Sequence, residues 1–201
     1  MKTDVIVVGG FHEIIELCEE CSLNVVGIID NQLVGAYYGI PIIGTDKDAE
    51  VLFPQYKSCR VIITPDSPRV RENLANQYKS IGFGFATVIS PFAHVSKYSE
   101  IGEGTVIQSG VNVSAATKIG RFCKLNSCCN VMHDNTIGDF TTIAPNAVLL
   151  GRVMVERGAY IGANATVLPE IVVNKGAIVG AGAVVTRNVS VGVTVKGVPA
   201  K

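Results

Sequence analysis

The residues best suited to chemistry near neutral pH are a histidine and an aspartate that are adjacent in the chain, His133 and Asp134. A neutral imidazole accepts a proton near pH 7, which is what a general base requires. The neighbouring carboxylate can hold one tautomer of the ring or raise the basicity of the imidazole. A surface His–Asp pair is more often simply solvated, so the surrounding sequence has to decide between the two interpretations.

Two other groups of residues suggest chemistry less strongly. Cys18 and Cys21 form a CxxC pair inside a predicted helix, and Gly9-Gly10 precedes that helix. The cysteines lack a second pair at zinc spacing, so no metal site is predicted. The glycine pair alone indicates phosphate binding only weakly, and the missing GxGxxG pattern argues against a dinucleotide cofactor.

Composition and charge limit the partners and the location. Lys+Arg and Asp+Glu number 17 each, which gives no electrostatic reason to expect nucleic acid or an anionic membrane surface. After Met1 to Asp4 the apolar stretch Val5–Val8 is too short for a signal peptide, and no run approaches the roughly 20 apolar residues of a membrane span. Six cysteines without a secretory signal then indicate reduced thiols and a cytoplasmic protein.

The first 88 residues alternate between strand-like and helix-like segments. Strands are predicted at 5–8, 25–29, 61–64 and 85–89, and helices at 12–21, after 45–48 and from 68 towards 80. Thr45 to Asp48 has the form of a capping box, and Ser67-Pro68 that of an N-cap followed by a first-turn proline. The alternation predicts an α/β N-terminal Rossmann-like domain, residues 1–88, built on a small parallel sheet.

From residue 89 the period of the sequence changes to six. Every sixth residue is aliphatic, eighteen times without an insertion: Ile89, Val95, Ile101, Ile107, Val113, Ile119, Leu125, Val131, Ile137, Ile143, Leu149, Val155, Ile161, Val167, Val173, Val179, Val185 and Val191. Such a fixed period is the signature of a repeat architecture in which neighbouring units share one core.

Two further features recur with the same period. The residue four places after each aliphatic position is usually small, as at Cys123 and Cys129, which predicts that these cysteines are core residues and not ligands. Glycine often follows the aliphatic residue directly, as at Gly102, Gly120 and Gly138, and is expected to tolerate the corner backbone.

The repeat resembles that of the hexapeptide-repeat family, whose fold is an all-β left-handed parallel β-helix with three hexapeptides in each coil. The resemblance implies about six coils in a domain spanning residues 89–201. A more specific resemblance is to bacterial sugar acyltransferases that join a Rossmann-like domain to such a β-helix. They include UDP-4-amino-sugar N-acetyltransferases and sialic acid O-acetyltransferases. The resemblance lies in the stretches Asn126–Asp134, Ile137–Phe140, Ile143–Pro145, Val179–Val185 and Gly197–Lys201.

This resemblance favours a function for the His–Asp pair. It implies that His133 is the general base for attack of a sugar amine on the thioester of acetyl-CoA, and that Asp134 raises its basicity. Asn126 matches an asparagine near that histidine. It either orients a reacting group or only makes its own turn.

The resemblance also implies the remaining site residues. Thr142, Gly151, Ala163 and Ala181 match positions that contact acetyl-CoA in a groove between subunits, and Thr142 stands where many relatives have a histidine. Lys175, Arg187, Lys196 and Lys201 either meet the CoA phosphates or are solvated corners. The matching positions for a nucleotide-linked amino sugar are Gly10, Phe11, His12, Asp30, Asn31, Thr64 and Asp66. Several of these differ from the family pattern, which leaves the nucleotide open. The implied assembly is a homotrimer.

Three other functions are compatible with parts of the pattern. The same fold serves O-acetylation of sialic acid or another sugar, since His133 can activate a hydroxyl as well as an amine. A γ-type carbonic anhydrase has a similar β-helix but needs three zinc histidines. The repeats contain only His94 and His133, which argues against this function. A non-catalytic scaffold remains the third alternative.

Overall fold

The computed structural model describes residues 3–201. Met1 and Lys2, part of the start in which no signal peptide is predicted, lie outside the described residues. No helix in the described part of the chain combines the length and apolar character needed to cross a membrane.

The N-terminal part is a six-stranded sheet with helices. Its elements are β1 Asp4–Val8, α1 His12–Glu20, β2 Asn24–Ile29, β3 Ala36–Tyr37, β4 Ile40–Gly44, a 3₁₀ turn at Asp46–Asp48, α2 Ala49–Tyr56, β5 Arg60–Ile63, α3 Pro68–Ile81 and β6 Gly84–Phe85. The strand order is β3-β4-β2-β1-β5-β6, and every neighbouring pair is parallel except β3 with β4. The apolar residues of β1, β2 and β5 fill the centre of this sheet.

Most of the local predictions for this part are confirmed. The amide and the hydroxyl of Thr45 both donate to the carboxylate of Asp48, and α3 begins at Pro68 as predicted. One prediction was wrong: the strand predicted at 85–89 is two strands, of which the second belongs to the other half of the molecule. The hairpin of β3 and β4 was not predicted.

The repeats form a three-sided prism of stacked two-residue strands. The first face contains β7 Val88–Ile89, β10 Val106–Ile107, β13 Lys124–Leu125, β16 Thr142–Ile143, β19 Tyr160–Ile161, β22 Ile178–Val179 and β24 Thr194–Val195. The second contains β8 His94–Val95, β11 Asn112–Val113, β14 Asn130–Val131, β17 Val148–Leu149, β20 Thr166–Val167 and β23 Val184–Val185. The third contains β9 Glu100–Ile101, β12 Lys118–Ile119, β15 Thr136–Ile137, β18 Met154–Val155 and β21 Val172–Val173.

The chain visits the three faces in turn, so the prism has three edges. The first edge joins the first face to the second, the second edge joins the second to the third, and the third edge returns to the first face. Each strand pairs in parallel with the strand one coil further on, for example Leu125 with Ile143. This stacking of parallel hexapeptide strands fits a left-handed β-helix.

The predicted register holds until the last coil. The aliphatic positions from Ile107 to Val185 are buried along the axis, and Cys123 and Cys129 lie among them as predicted. Val191 was predicted to continue the series, but it is 65% exposed. The last coil is two residues shorter, because Val189 pairs with Val173 and Val195 pairs with Val179.

The recurrent glycines have a different cause from the one expected. Gly102, Gly120 and Gly138 are not in the left-handed region. A Cβ on any of them would lie 2.5–2.6 Å from an atom of the next coil. The left-handed position is two residues further on, and it is occupied mostly by residues other than glycine, such as Phe122 and Asp134. These glycines therefore allow the coils to approach closely.

The N-terminal domain packs on the first face of the prism and on the first and third edges that border it. Val88 and Val106 are buried in the core of that domain, and the ring of Phe85 meets Phe122, which stacks on Phe140 at 5.2 Å. The predicted boundary at residues 88 and 89 falls inside β7, which is the first strand of the prism.

Candidate active site

The His133–Asp134 pair lies on the second edge of the prism, between β14 and β15. Asp134 Oδ2 is 2.8 Å from His133 Nδ1, and the two side chains are 55% and 47% exposed. With a proton on Nδ1 donated to the carboxylate, Nε2 keeps its lone pair and faces no partner among the described residues. An imidazole held in this tautomer is arranged to accept a proton at Nε2.

Backbone contacts fix this corner. Asp134 takes a left-handed conformation with φ of 60°, which aspartate tolerates better than most residues. Its amide donates to Ala115 O in the coil below, and the amide of Arg152 in the coil above donates to His133 O. The buried Asn135 donates to Met132 O and accepts from the amide of Val153. The base therefore stands on a rigid element.

Gly151 lies directly above His133 on the same edge. A Cβ at Gly151 would be 2.7 Å from Cε1 and 2.8 Å from Nε2 of the imidazole. The absence of a side chain therefore lets the ring lie against the backbone of the next coil.

The residues predicted to hold the acceptor gather where β1, β2 and β5 end. This carboxyl edge is where open parallel sheets bind ligands. Two cavities of about 200 and 220 Å³ lie there. Gly9, Asp30 and Pro65 line both, and Asn31 lines the second. His12 is beside them and stacks on Tyr38, with ring centroids 5.9 Å apart.

Several of these polar groups are already paired within the protein. Gly10 N donates to Asp30 Oδ2 at 2.7 Å, and Gln32 and Leu33 donate their amides to Asp30 Oδ1. These hydrogen bonds lower the pKa of Asp30 against the opposing effect of its burial. Asn31 exchanges hydrogen bonds with Asp46. Asp30 thus shapes the glycine loop.

The Thr64–Asp66 loop joins this site to the prism. Thr64 Oγ1 donates to Gly9 O at 2.6 Å, and Lys124 Nζ lies 2.8 Å from both Thr64 O and Asp66 Oδ1. Asn126 is buried on the first edge. Its Nδ2 is 3.5 Å from Asp66 Oδ1, and its Oδ1 has no hydrogen-bond donor. A buried acceptor without a donor is unusual in a folded protein.

Thr142 occupies a different place from the one its predicted role requires. It is fully buried, and its hydroxyl donates to Asp66 O at 2.8 Å and accepts from Arg71 Nη2 at 2.9 Å. Its proton is therefore not free for a thioester in this arrangement, and Thr142 connects the two domains instead.

Sequence reasoning missed two residues, Arg71 and Lys124. The Arg71 guanidinium is buried and donates to the carbonyls of Pro65, Asp66, Phe122, Phe140 and Thr141. Burial lowers its pKa to about 10, so it stays charged at neutral pH. The repeat contained a clue to Lys124. At the equivalent outward position, the two preceding coils have the apolar residues Val106 and Val88.

The predicted site residues fall on two edges of the prism. His133, Asp134 and Gly151 lie on the second edge. Asn126, Ala163 and Ala181 lie on the first edge, the side on which the Thr64–Asp66 loop approaches. One hexapeptide side is roughly 15–20 Å long at about 3.3 Å per residue. The predicted base His133 and the predicted Asn126 of one chain therefore lie on different edges of its prism.

The remaining candidate groups are the buried cysteines and the metal-ligating side chains. Burial raises the pKa of Cys18 and of Cys123 to about 12, so neither is a thiolate at neutral pH. Within residues 3–201 no group of three or more His, Cys, Asp or Glu side chains is placed to hold a metal ion.

Comparisons with known proteins agree with this architecture. Residues 152–187 match the family model described as bacterial transferase hexapeptide (six repeats). PerB from Caulobacter crescentus, solved with CoA and GDP-perosamine, is 32% identical with a TM-score of 0.92, and the match covers 100% of this chain and 97% of that one. The chain belongs to the hexapeptide-repeat sugar acetyltransferases. No curated protein sequence matches it.

Two other members of these hexapeptide-repeat sugar acetyltransferases match over their full length. The acetyltransferase domain of PglB from Neisseria gonorrhoeae, solved with acetyl coenzyme A, is 28% identical with a TM-score of 0.91, covering 100% of this chain and 99% of that one. WeeI from Acinetobacter baumannii is 31% identical with a TM-score of 0.87, and the match covers 99% of each chain.

Proposed function

We propose that this protein is an acetyl-CoA-dependent N-acetyltransferase that acts on the amino group of a nucleotide-linked amino sugar in bacterial glycan biosynthesis. The proposal is carried by the full-length likeness of this chain to a structure solved with CoA and GDP-perosamine. The exposed His133–Asp134 pair on the second edge of this chain supports it. The same relative has also been solved as two variants in which one histidine is replaced by alanine or asparagine.

His133 is the proposed general base. The sugar amine attacks the carbonyl carbon of the acetyl thioester, and His133 Nε2 accepts the proton that the nitrogen loses as the C–N bond forms. The negative oxygen of the tetrahedral intermediate needs an N–H donor. The C–S bond then breaks as the imidazolium of His133 gives its proton to the departing sulfur, which releases the CoA thiol. Asp134 holds the proton on Nδ1 and stabilises the imidazolium that forms.

We further propose that the active site is composite and that the protein is a homotrimer. A second copy that places its first edge against the second edge of this chain would bring Asn126 and the acceptor domain of one chain to His133 of the other. The orphaned Oδ1 of Asn126 would then accept a hydrogen bond from the acceptor sugar. Acetyl-CoA would lie in the groove between Gly151 of one chain and Ala163 and Ala181 of the other.

In this proposal the N-terminal domain is Rossmann-like and holds the nucleotide at the carboxyl ends of β1, β2 and β5. The β-helix is left-handed, as in the family. The enzyme works in the cytoplasm, where six free thiols remain reduced.

The decisive assay offers acetyl-CoA with UDP-, dTDP- and GDP-linked amino sugars and with free sialic acid, and it measures release of the CoA thiol. We expect rapid release with one of the nucleotide-linked amines. Thiol release with sialic acid alone would show that the activity is O-acetylation and not the proposed N-acetylation. No release with any acceptor from a folded trimer would contradict the proposed function.

A further inference from the structure

A buried lysine stands on the face of the prism that the N-terminal domain covers. The side chain of Lys124 is 3% exposed. The equivalent positions one and two coils below, Val106 and Val88, are apolar and equally buried against that domain. The joint between the domains therefore accepts an apolar side chain at this position of the repeat.

The charge of Lys124 is not explained by stability. Removing an ammonium from water is unfavourable, and a buried ion pair is often no more stable than apolar side chains of similar volume. Burial lowers the pKa of Lys124, while the carboxylate of Asp66 at 2.8 Å acts in the opposite direction. The buried ammonium of Lys124 therefore has to be explained by something other than stability.

Lys124 has hydrogen-bonding capacity left for a ligand. An ammonium has three donors, and two are used by Asp66 Oδ1 and Thr64 O. The third has no acceptor among the described residues. Lys124 also lies 5.0 Å over the ring of Phe11 and is the one cation among the described residues that line the cavity of about 200 Å³ at the glycine loop.

The glycine loop itself offers few donors. Gly9 N donates to Ile29 O at 2.9 Å, and Gly10 N donates to Asp30 Oδ2 at 2.7 Å. Both glycine amides are thus used inside the protein, whereas a loop that cradles phosphates presents its amides to the ligand. Neither of these two amides is free for an anion in this cavity, and Lys124 is the cation beside it.

We propose that Lys124 is a specificity-determining residue for the acceptor, binding the diphosphate of the nucleotide through its remaining donor while Asp66 and Thr64 hold the ammonium in place. The proposal rests on the proposed function. Lys124 belongs to the prism, whereas the other residues that line this cavity belong to the N-terminal domain. Nucleotide binding therefore depends on how the two domains dock.

Titration calorimetry on the full-length protein tests this without any acetyl transfer. UDP, GDP and dTDP are titrated, each beside its nucleoside, into the wild type, Lys124→Met and Lys118→Met. Lys118 is the matched control, because it occupies the same place in its hexapeptide on the third face, where it is exposed and pairs with Glu100.

We expect Lys124→Met to weaken the best-bound diphosphate about 30-fold, which is about 2 kcal/mol, and to leave the nucleoside unchanged. Lys118→Met should change both affinities less than about twofold. An unchanged diphosphate affinity in Lys124→Met would overturn the proposal, and so would a wild type that binds none of the three diphosphates. Diphosphate binding without thiol release in the acetyl-transfer assay would contradict the proposed function and leave Lys124 in its role.

A second variant covers the case in which Lys124→Met does not fold. Asp66→Asn keeps the ammonium and removes its counter-charge, and we expect the ratio of diphosphate to nucleoside affinity to rise several-fold. If Lys124 and Asp66 were only a structural pair, that ratio would stay constant or fall, and the proposal would be wrong.

Discussion

The two edges of the prism that carry the predicted site residues differ in almost every physical respect. On the second edge, His133 is more than half exposed, has Asp134 as its hydrogen-bonding side chain, and stands on a rigid backbone corner. On the first edge, Asn126 is buried beside a network that joins Asp66, Lys124 and Arg71. The repeat is the same on both edges, but the N-terminal domain packs beside only one.

This difference indicates how the site is divided. The first edge borders a cavity and carries one buried acceptor without a donor, Asn126 Oδ1, which suits binding, but its described residues include no general base. The second edge has an exposed base whose Nε2 has no partner among the described residues. Chemistry that excludes water needs a binding site and a base together, and the proposed homotrimer would supply both by repeating one contact between copies.

The largest expected effect is on the second edge. Replacing His133 by alanine should lower kcat about 10²- to 10⁴-fold, because the amine loses the group that removes its proton. Binding of CoA and of a nucleoside diphosphate, measured by calorimetry, should be unchanged. His94→Ala is the control, since His94 is exposed on another part of the prism. Full activity of the His133 variant would reject the mechanism.

Mixed trimers test whether the two edges meet between chains. Asp30→Ala/Asn126→Ala disables the first edge and His133→Ala disables the second, so each homotrimer should be nearly inactive. When the two chains are co-expressed in equal amounts, about one quarter of the sites between chains combine two intact edges and should recover activity. Mixtures no more active than the separate variants would place the whole site in one chain.

The Gly151→Ala variant tests whether activity requires the space that Gly151 leaves for the imidazole of His133. The added Cβ would overlap the ring of His133, so we expect kcat to fall roughly 10- to 100-fold through misplacement of the base. The KM for acetyl-CoA should change little. In a His133→Ala background the substitution should have no further effect on kcat. A raised KM with normal kcat would instead assign Gly151 to CoA alone.

The smallest expected effect is that of Asp134→Asn. Asparagine tolerates the left-handed corner as aspartate does, so unfolding free energy should change by less than about 0.5 kcal/mol. Loss of the carboxylate removes the partner that fixes the tautomer and stabilises the imidazolium. We expect kcat to fall about tenfold, which is less than for His133→Ala because the pair is half exposed and screened by water. An unchanged kcat would show that His133 acts without Asp134.

Much of the fold could be predicted because its determinants are local or periodic. The six-residue spacing of aliphatic side chains predicts the strands, and the three hexapeptides per coil that the family resemblance implies predict pairing one coil apart. The capping box at Thr45–Asp48 and the first-turn Pro68 were predictable for the same reason. The failures are also local. The short hairpin of β3 and β4 lacks a strong sequence pattern. The shortened last coil could not be recognised because Val191 is aliphatic and falls on the six-residue spacing, although it is exposed.

The candidate site divides in the same way. The sequence alone determined the prism, the corner on which His133 and Asp134 stand, and the burial of Cys123 and Cys129, since each depends on residues at most a few coils apart. Only the tertiary structure decided what the outward residues meet. Thr142 joins the domains, Lys124 enters the cavity beside Asp66, and Arg71 holds carbonyls from both halves, because docking of the N-terminal domain pairs residues about 50 to 76 positions apart. A contact of that range depends on how two folded surfaces fit together, and no period in the sequence records it.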